Sequence, residues 1–299
     1  DVSRIKVTPL EIGGGFGGKI PVYLEPVVSI LSKKSGRPVK AIMERSNVFQ
    51  ASGPAPGGTI TVKMGTDKDA NIIAAETSIK LEAGGFPGAA VGAAVQCIFA
   101  PYDIPNTRID GYDIVVNKPK SAAYRAPGSP QAAFAAETVS DELARIHNMD
   151  PIDFRLQNAS KEDTRRADGV VFPKIGNVEV LEAAKASDHW KSDLGTPPKG
   201  RVRGRGVASG YWFNVGLKSA VSLTVNNDGS VALVEGSTDI GGTRTSISMQ
   251  AAEVLGIGVE NFIPSVGDTD TAGYADVTGG SRTTYATGFA AVKAAENLI

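Results

Sequence analysis

Metal-ligating residues are scarce in this chain. Its 299 residues include one cysteine, Cys97, and two histidines, His147 and His189, far apart in sequence. One cysteine excludes an internal disulfide, a cluster-binding cysteine set and a cysteine-based zinc site. It also argues against secretion on disulfide support. Cys97 itself reads as a small buried hydrophobe. The two histidines make no His-rich site, so any metal must arrive inside a cofactor. Charge of one sign is missing too: 31 Lys and Arg against 32 Asp and Glu leave a net charge of -1. Neither nucleic acid nor an anionic membrane surface is implied as a partner. No apolar run reaches the roughly 18 residues a membrane helix needs. The polar opening Asp1-Val2-Ser3-Arg4 is not a signal peptide, so a cytoplasmic protein is expected. A start at Asp rather than Met suggests a trimmed chain.

Glycine is what the sequence has in excess: 35 of 299 residues, about 12% against a typical ~7%. The glycines cluster, at Gly13-Gly14-Gly15-Phe16-Gly17-Gly18, Gly84-Gly85, Gly241-Gly242 and Gly279-Gly280. Glycine tolerates positive φ and lets a ligand approach the main chain. Repeated clusters suggest a ligand held largely by backbone amides.

Periodicity and breakers predict an α+β fold: two domains of hairpins and mixed sheets packed with helices. A helix is expected over 21–34, ending at Gly36, and a strand over 38–43. Thr59–Met64 and Ile72–Leu81 read as a hairpin. A strong helix is expected over 131–147, with Phe134, Val139, Leu143 and Ile146 on its apolar face. Another opens at Asp150-Pro151. Residues 160–178 read as a polar loop. The stretch 191–205, rich in Lys, Arg, Pro and Gly, reads as a linker between a first domain, 1–190, and a second, 206–299. In the second, 220–225 and 230–235 flank the hairpin turn Asn226-Asn227-Asp228-Gly229. A helix over 245–255, a strand over 262–266 and a final helix follow.

One device recurs. A glycine- or serine-rich turn precedes a helix at 13–18, 125–129, 241–243 and 279–281. Helix N-termini present free amides and a partial positive charge, which suit phosphates and other anions. Each turn alone is also what a plain helix cap requires. The first loop fits G-x-G-x-x-G and most of the P-loop pattern. However, Ile20 stands where a P-loop needs Ser or Thr, and no acid follows at the Rossmann distance.

The full string Gly13-Gly14-Gly15-Phe16-Gly17-Gly18-Lys19 resembles the molybdenum hydroxylases: xanthine dehydrogenase, aldehyde oxidase, carbon monoxide dehydrogenase and related enzymes. Three further stretches agree in order and spacing. Ala123-Tyr124-Arg125-Ala126-Pro127-Gly128-Ser129-Pro130-Gln131 resembles that family's aromatic-Arg loop before a helix. Gly236-Ser237-Thr238-Asp239-Ile240-Gly241 resembles its second cofactor loop, and Gly279-Gly280-Ser281-Arg282-Thr283-Thr284 its third. The resemblance spans essentially the whole chain.

It implies a molybdopterin cofactor carrying molybdenum, as the cytosine dinucleotide in bacterial members. It implies hydroxylation with water as oxygen source, and electron exit through iron–sulfur (2Fe-2S) clusters to FAD on partner subunits. By position, Gly15, Phe16 and Gly17 would face the metal's ligands, with Ala123, Tyr124 and Arg125 opposite. Gly280, Ser281 and Thr283 would hold the pterin or its phosphates, and Gly241, Gly242 and Thr243 the dinucleotide phosphates. Backbone at Phe16, Arg125 and Gly280 would lie nearest molybdenum. Arg125 also has a plain reading as half of a surface ion pair. Tyr211-Trp212-Phe213 read either as core aromatics or, by family position, with Tyr211 and Trp212 flanking the substrate.

The chain departs from the pattern in places. The family's general-base glutamate follows a glycine near the C-terminus, and this chain has no Gly-Glu dipeptide. After residue 260 the acids are Asp268, Asp270, Asp276 and Glu296, none in that context. The family subunit's N-terminal part is missing as well, so a middle segment or one part of a split subunit is expected, inactive alone. Ile20 and Ala93 stand where purine oxidisers place Glu and Arg, Ala126 where the carbon monoxide branch has cysteine, and Gly242 where glutamine is usual. Aldehydes, N-heterocycles and aromatic acyl substrates remain open. The alternatives are a non-catalytic assembly subunit of the same family and a stand-alone phosphate- or nucleotide-binding module.

Overall fold

A computed structural model describes residues 2–299; Asp1, where the polar opening begins, lies outside them. In chain order the elements are α1 (Glu25–Ser35), α2 (Arg45–Ala51), β1 (Gly58–Thr66), β2 (Ile72–Gly84), α3 (Val91–Cys97), β3 (Thr107–Val115), α4 (Ser129–Ile146), α5 (Pro151–Gln157), α6 (Asn177–Ala186), α7 (Asp188–Lys191), β4 (Val221–Val225), β5 (Val231–Glu235), α8 (Thr243–Leu255), β6 (Phe262–Val266) and α9 (Gly288–Glu296). A π-helical turn, Thr283–Thr287, leads into α9. The α+β class is as expected.

The chain forms two compact units that are not consecutive halves. One is residues 43–212; the other joins the segment ending at Ile42 to Phe213–Ile299. The expected linker, 191–205, has no helix or strand beyond α7's last residue and lies inside the 43–212 unit. It is pinned there by Arg205, whose Nη1 donates to the Trp190 and Ser192 carbonyls at 2.6 and 2.9 Å.

In the 43–212 unit, β1 and β2 form the expected antiparallel hairpin, in register from Gly58↔Leu81 to Thr66↔Ile72. β2 then pairs parallel with β3 through the α3 crossover. Alternation in β2 buries Ile72, Thr77, Ile79, Leu81 and Ala83. Of these, Ile72, Ile79 and Leu81 pack with Ala94, Ile98 and Phe99 from the α3 region and with Phe154 of α5. α4 lies on β1, and of the expected face only Leu143 packs against this core. Phe134 and Ile146 are 79% and 71% exposed, and the buried stripe is Ala132, Ala136, Ser140 and Ala144. Small side chains at i, i+4 let the helix approach the sheet closely, which a Phe stripe would prevent. Glu137 on that face is buried and accepts from Tyr102 Oη (2.5 Å), Arg155 Nε (2.8 Å) and Ser209 N (2.6 Å). Asp150 caps α5, as its position before Pro151 predicted.

The other unit repeats this topology. β4 and β5 form a hairpin across the Asn226–Gly229 turn, and α8 carries the chain to β6, parallel to β5. Val231, Leu233, Ile247, Ala251, Phe262, Ala291 and Ala295 make its core. The helix expected over 21–34 begins only at Glu25 and ends at Gly36, in the left-handed region. The strand expected over 38–43 does not form, since neither sheet takes it as a partner. Instead Glu44 and Asn47 make a reciprocal cap that starts α2.

Candidate cofactor site

Three of the four glycine loops lie in the discontinuous unit, and the fold brings them side by side across more than 200 residues of sequence. A methyl group on Gly15 would come to 3.9 Å from Ile240 of the 236–243 loop, and one on Gly279 to 2.9 Å from Ile20. Arg244 pairs with both Glu11 and Asp239.

The first loop is a tight turn, with the Gly18 amide donating to the Gly15 carbonyl at 2.9 Å. Gly13, Gly14, Phe16 and Gly17 all have positive φ, at 66, 88, 52 and 99°. For Phe16 this conformation costs on the order of 1–3 kcal/mol. Its ring gains no burial in return, being 60% exposed.

The second loop joins β5 to α8. Asp239 Oδ1 accepts from the Gly241 amide (2.8 Å), the Thr243 amide (3.2 Å) and the Thr243 hydroxyl (2.9 Å). Its Oδ2 accepts from Arg244 Nε at 2.7 Å. Burial alone would raise this carboxyl; the bonds from Arg244, Gly241 and Thr243 outweigh it and hold the acid far below the usual carboxylate range. The amides of Gly241 and Thr243, assigned to phosphates by position, are therefore already engaged. The Gly242 amide is not among Asp239's donors. Gly241 and Gly242 adopt φ of 123 and 80° with open space where a Cβ would stand.

In the third loop Gly280 and Ser281 have φ of 68 and 56°. The Gly280 carbonyl accepts from Val215 N (3.1 Å) and the Ser281 carbonyl from Asn214 Nδ2 (2.5 Å). Thr283 is buried, so it can meet a ligand only through the loop's backbone. Arg282, also buried, anchors the loop through carbonyls.

The fourth loop, 123–131, belongs to the other unit. Arg125 and Ala126 have φ of 24 and 55°, and Gly128 has φ of 85° at the N-cap of α4. Tyr124 and Arg125 are exposed. Among the described residues no carboxylate pairs with Arg125, so its plain ion-pair reading finds no partner. Ser129 Oγ donates to the Tyr211 carbonyl at 2.7 Å, which ties the start of α4 to the irregular segment that carries Tyr211. The Tyr211 ring packs edge-on against Phe172, and its hydroxyl takes a 2.6 Å bond from Arg166, whose guanidinium lies over both rings. Trp212 is half-buried beside it in sequence.

Eight non-glycine residues of the described chain have positive φ, and four of them are Phe16, Arg125, Ala126 and Ser281. Half the non-glycine strain thus sits in three of the four loops, where strain is kept only if surrounding structure enforces it. Open cradles at Gly13, Gly241 and Gly242, with exposed main chain, fit a ligand approached through amides such as a pterin nucleotide. Among the described residues no group of three or more His, Cys, Asp or Glu is placed to hold a metal ion. Asp239, Glu235 and Arg282 were missed as site-shaping residues. For Asp239 the signal was present: Asp two residues before Gly241 and four before Thr243 is a turn-and-cap spacing.

Residues 1–159 match the molybdopterin cofactor-binding domain, and residues 179–299 match a second molybdopterin cofactor-binding domain. The chain is 30% identical over 280 residues to the aldehyde oxidoreductase molybdenum-binding subunit of Escherichia coli O157:H7, covering 90% of this chain and 37% of that subunit. It is 30% identical over 301 residues to the xanthine dehydrogenase molybdenum-binding subunit of the same organism, covering 95% and 40%. The aldehyde oxidoreductase structure from Desulfovibrio desulfuricans ATCC 27774 superposes with a TM-score of 0.83 at 28% identity, over 96% of this chain and 33% of that one. The chain belongs to the molybdopterin cofactor-binding domain family, that of the molybdenum hydroxylase large subunits, and spans less than half the length of the relatives it matches.

Proposed function

We propose that this chain is the molybdopterin-holding portion of an oxidoreductase that hydroxylates an aldehyde, N-heterocycle or aromatic acyl substrate with oxygen from water. The observation that carries this is the convergence of three glycine loops in one unit, with strained, exposed non-glycine residues at Phe16 and Ser281. Relatives named as aldehyde oxidoreductase and xanthine dehydrogenase subunits support the reaction class.

The bound pterin's molybdenum would supply the redox chemistry. This chain's residues would bind and orient. Gly15, Phe16 and Gly17 would present backbone from the first loop, and Ala123, Tyr124 and Arg125 from the fourth, with the Arg125 guanidinium available to an anionic group. Gly280, Ser281 and Thr283 hold the pterin end. Gly241, Gly242 and Thr243 shape the nucleotide end, where Gly242 keeps its amide clear of Asp239. By their positions in the family motifs, Phe16, Arg125 and Gly280 would stand nearest the metal, and Tyr211 and Trp212 would flank the substrate. The cofactor is the cytosine dinucleotide form. FAD-binding and 2Fe-2S subunits complete a cytoplasmic complex, and the sequence modules 1–190 and 206–299 correspond to its first and second cofactor-binding domains. No acid of the chain stands in the general-base context, so the isolated chain is expected to be inactive.

The test is molybdenum and released pterin nucleotide on natively purified protein from a host that makes the cofactor, with co-purifying chains identified. Stoichiometric molybdenum and cytidine nucleotide with flavin and iron–sulfur partners is the expected result. Finding neither metal nor partner would overturn the reading.

A further inference from the structure

Two charged residues deep in the discontinuous unit, Glu235 and Arg282, enter none of the binding roles proposed above. Glu235 ends β5 and is fully buried; its Oε2 accepts the Ser237 amide at 3.1 Å, while Oε1 has no hydrogen-bond partner. Arg282 is 1% exposed, and its guanidinium donates only to uncharged groups. These are the carbonyls of Gly216 (3.0 Å), Asp276 (2.9 Å), Val277 (3.4 Å) and Lys218 (2.6 Å), and the Ser219 hydroxyl. A buried acid and a buried base without direct partners are each costly alone. They are joined by hydroxyls. Ser219 Oγ lies 2.9 Å from Thr287 Oγ1, which lies 2.9 Å from Ser237 Oγ. Ser237 belongs to the second loop, Arg282 to the third, and Thr287 to the π-helical turn between the third loop and α9. Ser237 and Thr287 are buried, so water does not short-circuit the relay.

We propose that Glu235 is a positioning residue which, through Ser237, Thr287 and Ser219, locks the 236–243 loop to Arg282 and the 279–284 loop. It touches neither cofactor nor substrate. This rests on the reading of those segments as cofactor loops. The lock fits the neutral acid, because the unpartnered Oε1 tolerates a proton but not a charge. Burial pushes the Glu235 carboxyl up to about 7; the Ser237 bonds oppose this, the Asp239 carboxylate adds to it, and the Arg282 charge opposes it. An acid raised in the folded state contributes stability that is full below about 4.5 and lost as pH rises through about 7. The two loops should therefore loosen together on passing from pH 4 to pH 8.

Hydrogen exchange of the chain resolves this by segment. Against a Glu235→Gln variant at the same pH, wild type should match in protection of residues 237–243 and 279–284 at pH 4, below both values. At pH 8 it should be more than about tenfold less protected on both, since the stability held by the neutral acid is gone once pH has passed the folded value. Thr287→Val removes the central hydroxyl at constant shape and should loosen both segments at either pH. Ser237→Ala cuts the same relay should that variant not fold. Equal protection of wild type and Glu235→Gln at pH 8, or loosening of one segment without the other in the hydroxyl variants, overturns the proposal. The readout needs no cofactor. Absent molybdenum would sink the cofactor reading and leave the relay to be decided by exchange alone.

Discussion

At the scale of single residues, glycines that resemble one another in the sequence do different jobs. A Cβ at Gly280 would meet Val215 Cγ2 at 2.3 Å with φ at +68°, whereas one at Gly242, φ +80°, would meet nothing within 4 Å. Gly280→Ala therefore combines left-handed strain with overpacking, and should lower stability by about 2–4 kcal/mol. Gly242→Ala should cost only about 1 kcal/mol of strain while filling space kept for ligand. Urea denaturation compares the two; equal losses would contradict this division. Asp239 has its own pH signature. Held below the usual carboxylate range, it contributes stability that is present above its unfolded value of 3.8 and lost only as pH falls through the lower folded one. Asp239→Asn is expected to cost about 1–3 kcal/mol, the same at pH 5 and pH 8. A penalty that vanished on going from pH 8 to pH 5 would show that Asp239 is not ionised as described.

At the scale of elements, the sequence made both hairpins, the turn at Asn226–Gly229, α5's cap and the extent of α4 legible, because each rests on local chemistry. It did not reveal which face of α4 is buried. Hydrophobicity favoured Phe134 and Ile146, but the sheet below leaves room only for small residues, a fact of packing distance that no periodicity carries. Ala136→Leu should destabilise by about 1–3 kcal/mol through overpacking, and Phe134→Ser by less than about 0.5 kcal/mol. Thermal melts of the two would reverse the ranking if the sequence-derived face were the packed one. The glycine loops were legible for the same local reason. The Glu235–Arg282 relay was not, since an acid at a strand's end becomes a buried group only when a segment 50 residues away closes over it. The expected strand at 38–43 failed on the opposite ground: a strand needs a partner, and local alternation supplies none.

At the scale of the whole chain, the two units share one plan, in which a hairpin's second strand pairs in parallel with a third strand reached through a helix. In each, the loop entering the helix after the third strand is a candidate cofactor loop: 123–131 before α4 and 279–284 before α9. The 43–212 unit is continuous and owns a core of its own. Expressed alone, it should unfold in one cooperative urea transition with native-like circular dichroism. A broad, non-cooperative loss of signal would show that it depends on the rest of the chain.

The other unit is interrupted, and that interruption has a consequence for biosynthesis. The ribosome releases the first glycine loop, then 170 residues of a different unit, 43–212, before the segment that completes the first begins to emerge. At roughly 5–20 residues per second, the opening segment waits on the order of 10–30 s without the strands it packs with. The inserted unit has time to fold in that interval. The three glycine loops of the interrupted unit come together only after translation has passed residue 284, so a ligand that needs all three cannot be held before that point.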